Sequence, residues 1–212
     1  MYKHPLLDRD KMSPKEALDI LIEGNERFTQ NLSAHRDLLN IVNITKEQQH
    51  PFAAILGCSD SRTSTEIIFD QGLGDIFSVR LAGNIATEYA IGSVEYSCKY
   101  LGSKLVVVLG HTSCGAIKAA CDGFSGGNIG QIVKMIEPAV ALEEHTMHTR
   151  DSSNPQFVNN VCHHNVDHQL DTMLTGSTIL QEMLAEKKIG IVAAVYDIST
   201  GEVTFNLDKS RF

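Results

Sequence analysis

Three segments of this chain, residues 52–56, 105–109 and 189–196, are almost continuously apolar. Runs of that length fit parallel strands covered on both faces, because a strand with one wet face would alternate. A fourth strand is expected at 76–80. Between it and the next strand, Ala90, Val94 and Leu101 mark a helix over about 88–100, the kind of crossover that parallel neighbours require. Ser199, Thr200 and Gly201 then turn the last parallel strand into a short antiparallel one at 203–207. The pattern predicts an α/β fold with a mostly parallel central sheet flanked by helices, an antiparallel last strand and an N-terminal helical arm.

The arm begins at Ser13, which reads as an N-cap with Pro14 in the first turn and Glu16 closing a capping box. Leu18, Leu21, Ile22 and Phe28 follow at helical spacing. This stripe precedes the alternating core, and a partner subunit is the expected place to bury it. Residues 123–130 are rich in glycine and read as a flexible connection. Asn154 and Pro155 start a further helical region that divides near Gly176. With no internal repeat and no linker, residues 1–212 are expected to form one domain, with 1–45 as the arm and 46–212 as the α/β core.

Composition narrows the function. The formal charge of −8 argues against a broad phosphate-binding surface, since nucleic-acid affinity rests on Lys and Arg. No segment approaches the roughly 18 continuous apolar residues of a membrane helix, and the N-terminus lacks the apolar centre of a signal peptide. Neither nucleic acid nor membrane is expected as a partner, and the expected location is cytoplasmic. The five cysteines, odd in number and irregularly spaced, form a poor disulfide framework and read as reduced thiols.

Two motifs sit directly after two of the apolar runs. Cys58-Ser59-Asp60-Ser61-Arg62 follows the first, and His111-Thr112-Ser113-Cys114 follows 105–109. In an open parallel sheet, functional residues gather beyond the carboxyl ends of the strands, so Cys58, His111 and Cys114 are expected to share one metal. Two thiolates and an imidazole suit Zn²⁺ and leave one tetrahedral position open, as in catalytic sites. Asp60 is placed to accept a hydrogen bond from a ligand in that position, with Arg62 keeping it ionised and oriented.

These residues closely resemble the β-class carbonic anhydrases, in which CxDSR and HxxC carry the metal site. The likeness extends to FDQGLGDIFSVRLAGN at 69–84, to the helix with Val94, Glu95 and Tyr96, to GHTSCGAIKAA at 110–120 and to AAVYDISTGEVTF at 193–205, and spans about residues 13–207. The resemblance implies zinc held by Cys58, His111 and Cys114, with Asp60 and Arg62 as a catalytic dyad. It further implies a substrate pocket of Gln49, Phe77, Ala82 and Tyr96, built at a dimer interface. The implied activity is that of a zinc lyase: reversible hydration of CO₂ to bicarbonate and a proton, with hydroxide on zinc as the nucleophile. The implied assembly is a dimer or a dimer of dimers. A bicarbonate-regulated subgroup carries tryptophan three residues before the first zinc cysteine. Ile55 stands there in this chain; Arg80 matches a second residue of that regulatory pocket but, alone, reads as structural. The resemblance is therefore to the unregulated subgroup, with Asp60 off the metal.

Other features carry less. His164 and His168 have helical i, i+4 spacing beside Cys162 and His163 but lack the glutamate of a zinc-protease helix. Their neighbours Asn160, Asn165, Asp167 and Gln169 suggest a solvated face. Cys98, Cys121 and Cys162 read as packing residues. Two alternatives stay open: hydrolysis of another small heterocumulene on the same scaffold, and a non-catalytic zinc protein that has kept the fold.

Overall fold

The computed structural model describes residues 8, 9 and 11–212. Residues 1–7 and Asp10, counted above with the arm, lie outside the described residues. Five strands form one sheet: β1 (Ala53–Gly57), β2 (Ile76–Arg80), β3 (Leu105–His111), β4 (Gly190–Tyr196) and β5 (Val203–Arg211), in the order β2-β1-β3-β4-β5. The first four are mutually parallel, and β5 returns antiparallel to β4. Every residue of β1, β3 and β4 is buried, the environment that their unbroken apolar sequence requires.

Alternate residues of the sheet feed two apolar layers. Ala54, Leu56, Val106, Val108 and Ala193 pack against α4 (Glu88–Tyr100), α7 (Pro155–Thr175) and α8 (Thr178–Ala185). On the other face Ala53, Ile55, Val107, Val192 and Ala194 meet α1 (Pro14–Thr29) through Ala17, Leu18 and Leu21. The stripe of α1 is thus covered by its own sheet and not by a partner subunit, because that face of the sheet has little other helical cover. Its start is the expected capping box: Glu16 N donates to Ser13 Oγ at 3.2 Å, and Ser13 N donates to Glu16 Oε2 at 2.7 Å. The short α2 (Leu38–Thr45) is different, burying Ile41 and leaving Leu38, Leu39, Val42 and Ile44 exposed.

A third apolar cluster lies beyond the carboxyl ends of the strands. It joins α5 (Gly115–Cys121), α6 (Gly127–Leu142) and the first turns of α7 around Ile117, Val133, Ile136, Phe157 and Val161. Here the expected flexible connection is shorter than its glycines suggested. The helix α6 begins at Gly127, taking up the second half of residues 123–130, since the cluster rewards any helix that presents Val133, Ile136 and Ala139. The expected break near Gly176 falls between α7 and α8.

Candidate metal centre

Cys58 is the first residue after β1, and His111 is the last residue of β3. Ser113 then adopts φ +55°, a left-handed turn that brings Cys114 back beside His111 as the N-cap of α5. The three potential ligand atoms lie within 4.8 Å of one another, the one such group among the described residues, and Asp60 is not a member of it. All three residues are buried, at 5 %, 1 % and 2 % exposure.

The donor set fits a tetrahedral cation. The two sulfurs are 3.9 Å apart, and two bonds of about 2.3 Å at a tetrahedral angle span about 3.8 Å. His111 Nδ1 lies 3.0 Å from the Thr112 carbonyl, so that nitrogen carries the proton and donates. The other ring nitrogen, Nε2, is buried and has no hydrogen-bond partner. A buried, unpartnered lone pair is costly, and a cation between it and the two sulfurs removes that cost.

The charges around the ligands are arranged unequally. The hydrogen bond from Cys114 holds the Cys58 thiol well below its ordinary range, and backbone N–H groups of Asp60 and Gly83, each 3.4 Å from the sulfur, add to this. The same bond, together with burial, pushes Cys114 up. Arg62 grips Asp60 as a fork: Nε donates to Oδ1 at 2.9 Å and Nη2 to Oδ2 at 2.6 Å, while the Arg62 backbone N–H adds a bond of 2.9 Å. The Arg62 guanidinium holds the Asp60 carboxyl far below the usual carboxylate range. Asp60 Oδ2 comes within 3.9 Å of His111 Nε2, so an ionised carboxylate stands at the rim of the ligand cluster.

The remaining candidates divide. Ala82 opens a 3₁₀ turn, Ala82–Asn84, whose Gly83 touches Cys58. Phe77 pairs with Ala54, four residues before Cys58 and so about 13 Å back along the strand. Tyr96, on α4, lies against it with the rings tilted by 49° and their centroids 6.3 Å apart, and is half exposed. Gln49 is exposed, before β1 begins. One chain therefore brings Ala82 to the ligands but leaves Gln49, Phe77 and Tyr96 near the opposite ends of the strands.

Arg80, matched above to a regulatory pocket and read as structural, donates from Nε to the Cys58 carbonyl at 2.9 Å and from Nη2 to the Asp60 carbonyl at 2.5 Å, bracing the loop from Cys58 to Asp60. Two residues near the site escaped the sequence reading. Asn165 and Gln169, expected on a solvated face, are fully buried. Periodicity of apolar residues cannot reveal them, because their polar groups bond to backbone far away in sequence. Asn160, Asp167, His164 and His168 are half-buried, and His163 is exposed. Cys98, Cys121 and Cys162 are all buried.

An open parallel sheet with two thiols and an imidazole converging at its carboxyl edge, and an ionised carboxylate beside them, defines a class of α/β proteins with a three-ligand centre. Comparison narrows the class to one family. A family model described as carbonic anhydrase matches residues 53–203. Carbonic anhydrase 2 of Mycobacterium tuberculosis is 35% identical over 196 residues, covering 89% of this chain and 91% of its own. Carbonic anhydrase of Mycolicibacterium smegmatis is 34% identical, with 90% and 92% covered. Among solved structures, the β-carbonic anhydrase CcaA superposes with a TM-score of 0.70 at 25% identity, over 89% of this chain and 86% of that one. One of two β-carbonic anhydrases from Sordaria macrospora, described as tetrameric, gives 0.71 at 21% identity over 89% and 96%. The chain belongs to the β-carbonic anhydrase family.

Proposed function

We propose that this protein is a zinc-dependent enzyme that hydrates CO₂ reversibly to bicarbonate and a proton. The observation that carries this reading is the buried, unpartnered Nε2 of His111 facing two sulfurs 3.9 Å apart, with family membership supplying the substrate. Cys58, His111 and Cys114 would hold the ion. Zinc held by three protein ligands supplies Lewis acidity that brings the ionisation of water to about pH 7.

The chain's own residues then have distinct tasks. Asp60, ionised through its fork with Arg62, can only accept hydrogen bonds. A water or hydroxyl beside the ligand cluster would therefore donate its proton to Asp60 and turn its lone pair elsewhere. Each Asp60 oxygen keeps a lone pair beyond its bond to Arg62, and with Asp60 outside the ligand group the reading has it act from the rim, off the metal. Ala82 contributes a small apolar surface on the turn that contacts Cys58. Gln49, Phe77 and Tyr96 complete the substrate pocket from a second copy of the chain, which is why they lie far from the ligands of their own.

That arrangement asks for at least a dimer, and a dimer of dimers agrees with the tetrameric relative. The reading keeps CO₂ and bicarbonate as the exchanging partners and a cytoplasmic location, in keeping with five unpaired thiols. Stopped-flow CO₂ hydration across pH, with zinc measured on the same sample, is the direct test. A protein that carries one zinc per chain yet hydrates CO₂ no faster than buffer would overturn it. Turnover of carbonyl sulfide or carbon disulfide well above that of CO₂ would reassign the substrate.

A further inference from the structure

We propose that Asn165 and Gln169, on the buried face of α7, are positioning residues of the metal centre, holding the Gly83 turn where its N–H reaches the Cys58 sulfur. The inference rests on the zinc reading above and concerns how the ligand is held. Both side chains are fully buried, and a buried amide is costly unless its polar atoms are bonded. Here the bonds define one direction. Asn165 Nδ2 donates to the Gly83 carbonyl at 3.0 Å, while Asn165 Oδ1 accepts from Gln169 Nε2 at 3.0 Å. Gln169 Nε2 also donates to the Met135 carbonyl at 2.9 Å, and Gln169 Oε1 accepts from Ala86 N at 2.8 Å. With the Asn165 oxygen occupied, its amide group must face Gly83.

Gly83 is the hinge of this arrangement. Its carbonyl faces Asn165, and its N–H donates to Cys58 Sγ at 3.4 Å. It sits at φ +71°, where L side chains are strained, and a Cβ there would lie 2.7 Å from Ile136 Cδ1. Carbonyl and N–H together hold the turn from both sides. A hydrogen bond to a ligand sulfur stabilises the charged ligand, and partners of this kind set metal affinity.

The same helix reaches the second ligand segment. Cys162, one turn before Asn165, donates its thiol to the His111 carbonyl at 3.2 Å. Val166 fills the space over Gly110, where a Cβ would meet its Cγ2 at 2.4 Å. Residues 162, 165, 166 and 169 lie on one helical face, so α7 supports both the Gly83 turn that bonds Cys58 and the segment that carries His111.

Zinc release to a chelator, and the sulfur-to-metal charge-transfer band of the cobalt(II)-substituted protein, test the assignment without reference to turnover. Asn165→Leu keeps the volume and removes the bonds. Asn165→Asp keeps the shape and the acceptor but removes the donor to Gly83, and so serves if the leucine variant does not fold. Met173→Ala, two turns from Asn165 and buried against the sheet, is the control for lost stability. Both Asn165 variants are expected to release zinc about 10-fold faster and to shift the cobalt band. Met173→Ala, at a similar fall in Tm, is expected to match the wild type in both. Wild-type release and an unshifted band in a folded Asn165 variant would overturn the inference, as would equal acceleration in Met173→Ala. A wild type that takes up neither zinc nor cobalt would instead refute the zinc reading, and this inference with it.

Discussion

The carboxyl end of the sheet and its β2 edge are built on opposite plans. At the carboxyl end, Cys58, His111 and Cys114 are buried, and their loops are tied by Arg80, Thr63, Thr112 and the buried face of α7. At the β2 edge, Tyr89, Tyr96 and Tyr100 are 87 %, 49 % and 73 % exposed, and α2 shows four aliphatic side chains to solvent. The contrast separates two requirements of one reaction. Holding a cation demands fixed geometry, which strand ends and tight turns supply within one chain. Enclosing a small neutral substrate demands an apolar wall, and two candidates for that wall, Phe77 and Tyr96, stand on the edge that the chain leaves uncovered.

The sharpest way to break this contrast is at the ligands. Cys58→Ser is expected to lose zinc and reduce CO₂ hydration to the buffer rate, measured by metal analysis beside stopped-flow. Full zinc content in this variant would move the centre elsewhere. Asp60→Asn should retain zinc yet slow turnover by about 10²-fold or more, the usual scale for losing a positioned proton acceptor. Unchanged turnover would remove Asp60 from the reaction. The uncovered edge is tested by mixing. Gln49→Ala and Cys58→Ser chains, each impaired alone, should regain activity when co-refolded, because a mixed dimer contains one site with wild-type Gln49 and intact ligands. No recovery would confine the site to one chain.

Smaller effects sharpen the structural side. Glu143 is fully buried and accepts from Thr146, Asn160 and Arg150. Burial alone would raise its carboxyl, but these donors outweigh it and the pKa is lowered. A carboxylate lowered on folding gives stability that is present above its unfolded pKa of about 4.3 and is lost as pH falls toward the lower folded value. Glu143→Gln is therefore expected to cost about 1–3 kcal/mol at neutral pH, to flatten the acid limb of the stability curve and to leave turnover unchanged. Chemical denaturation at pH 3–7 checks all but the last. Ser13→Ala removes one cap bond on the far face of the sheet and should cost about 1 kcal/mol, with no effect on zinc.

Much of the deep region was legible because its signals are local. An unbroken apolar run means a strand buried on both faces, and a cysteine or histidine at the end of such a run sits at the edge where parallel sheets place their chemistry. The Ser13 cap and the Asn154 start are short-range hydrogen-bond patterns, and both helices begin as expected. What escaped depends on partners distant along the chain. Asn165 and Gln169 look solvated until Gly83 and Ala86 are known to lie against them. The stripe of α1 gave no indication of which sheet face it would cover, and the glycines before α6 concealed a helix whose apolar face is defined by the cluster beneath the ligands. The position of Phe77 relative to Cys58 followed only from strand register.

The pair of sulfurs with a single ring nitrogen has a consequence for which ions can occupy the centre. Magnesium and calcium seek oxygen, and this cluster offers them none among its ligand atoms. Softer ions are a different matter, since thiolates attract copper(I) and imidazole accepts most first-row metals. Selection against abundant hard cations is thus built into the donor atoms of the chain, whereas these atoms alone do not choose among the soft ones.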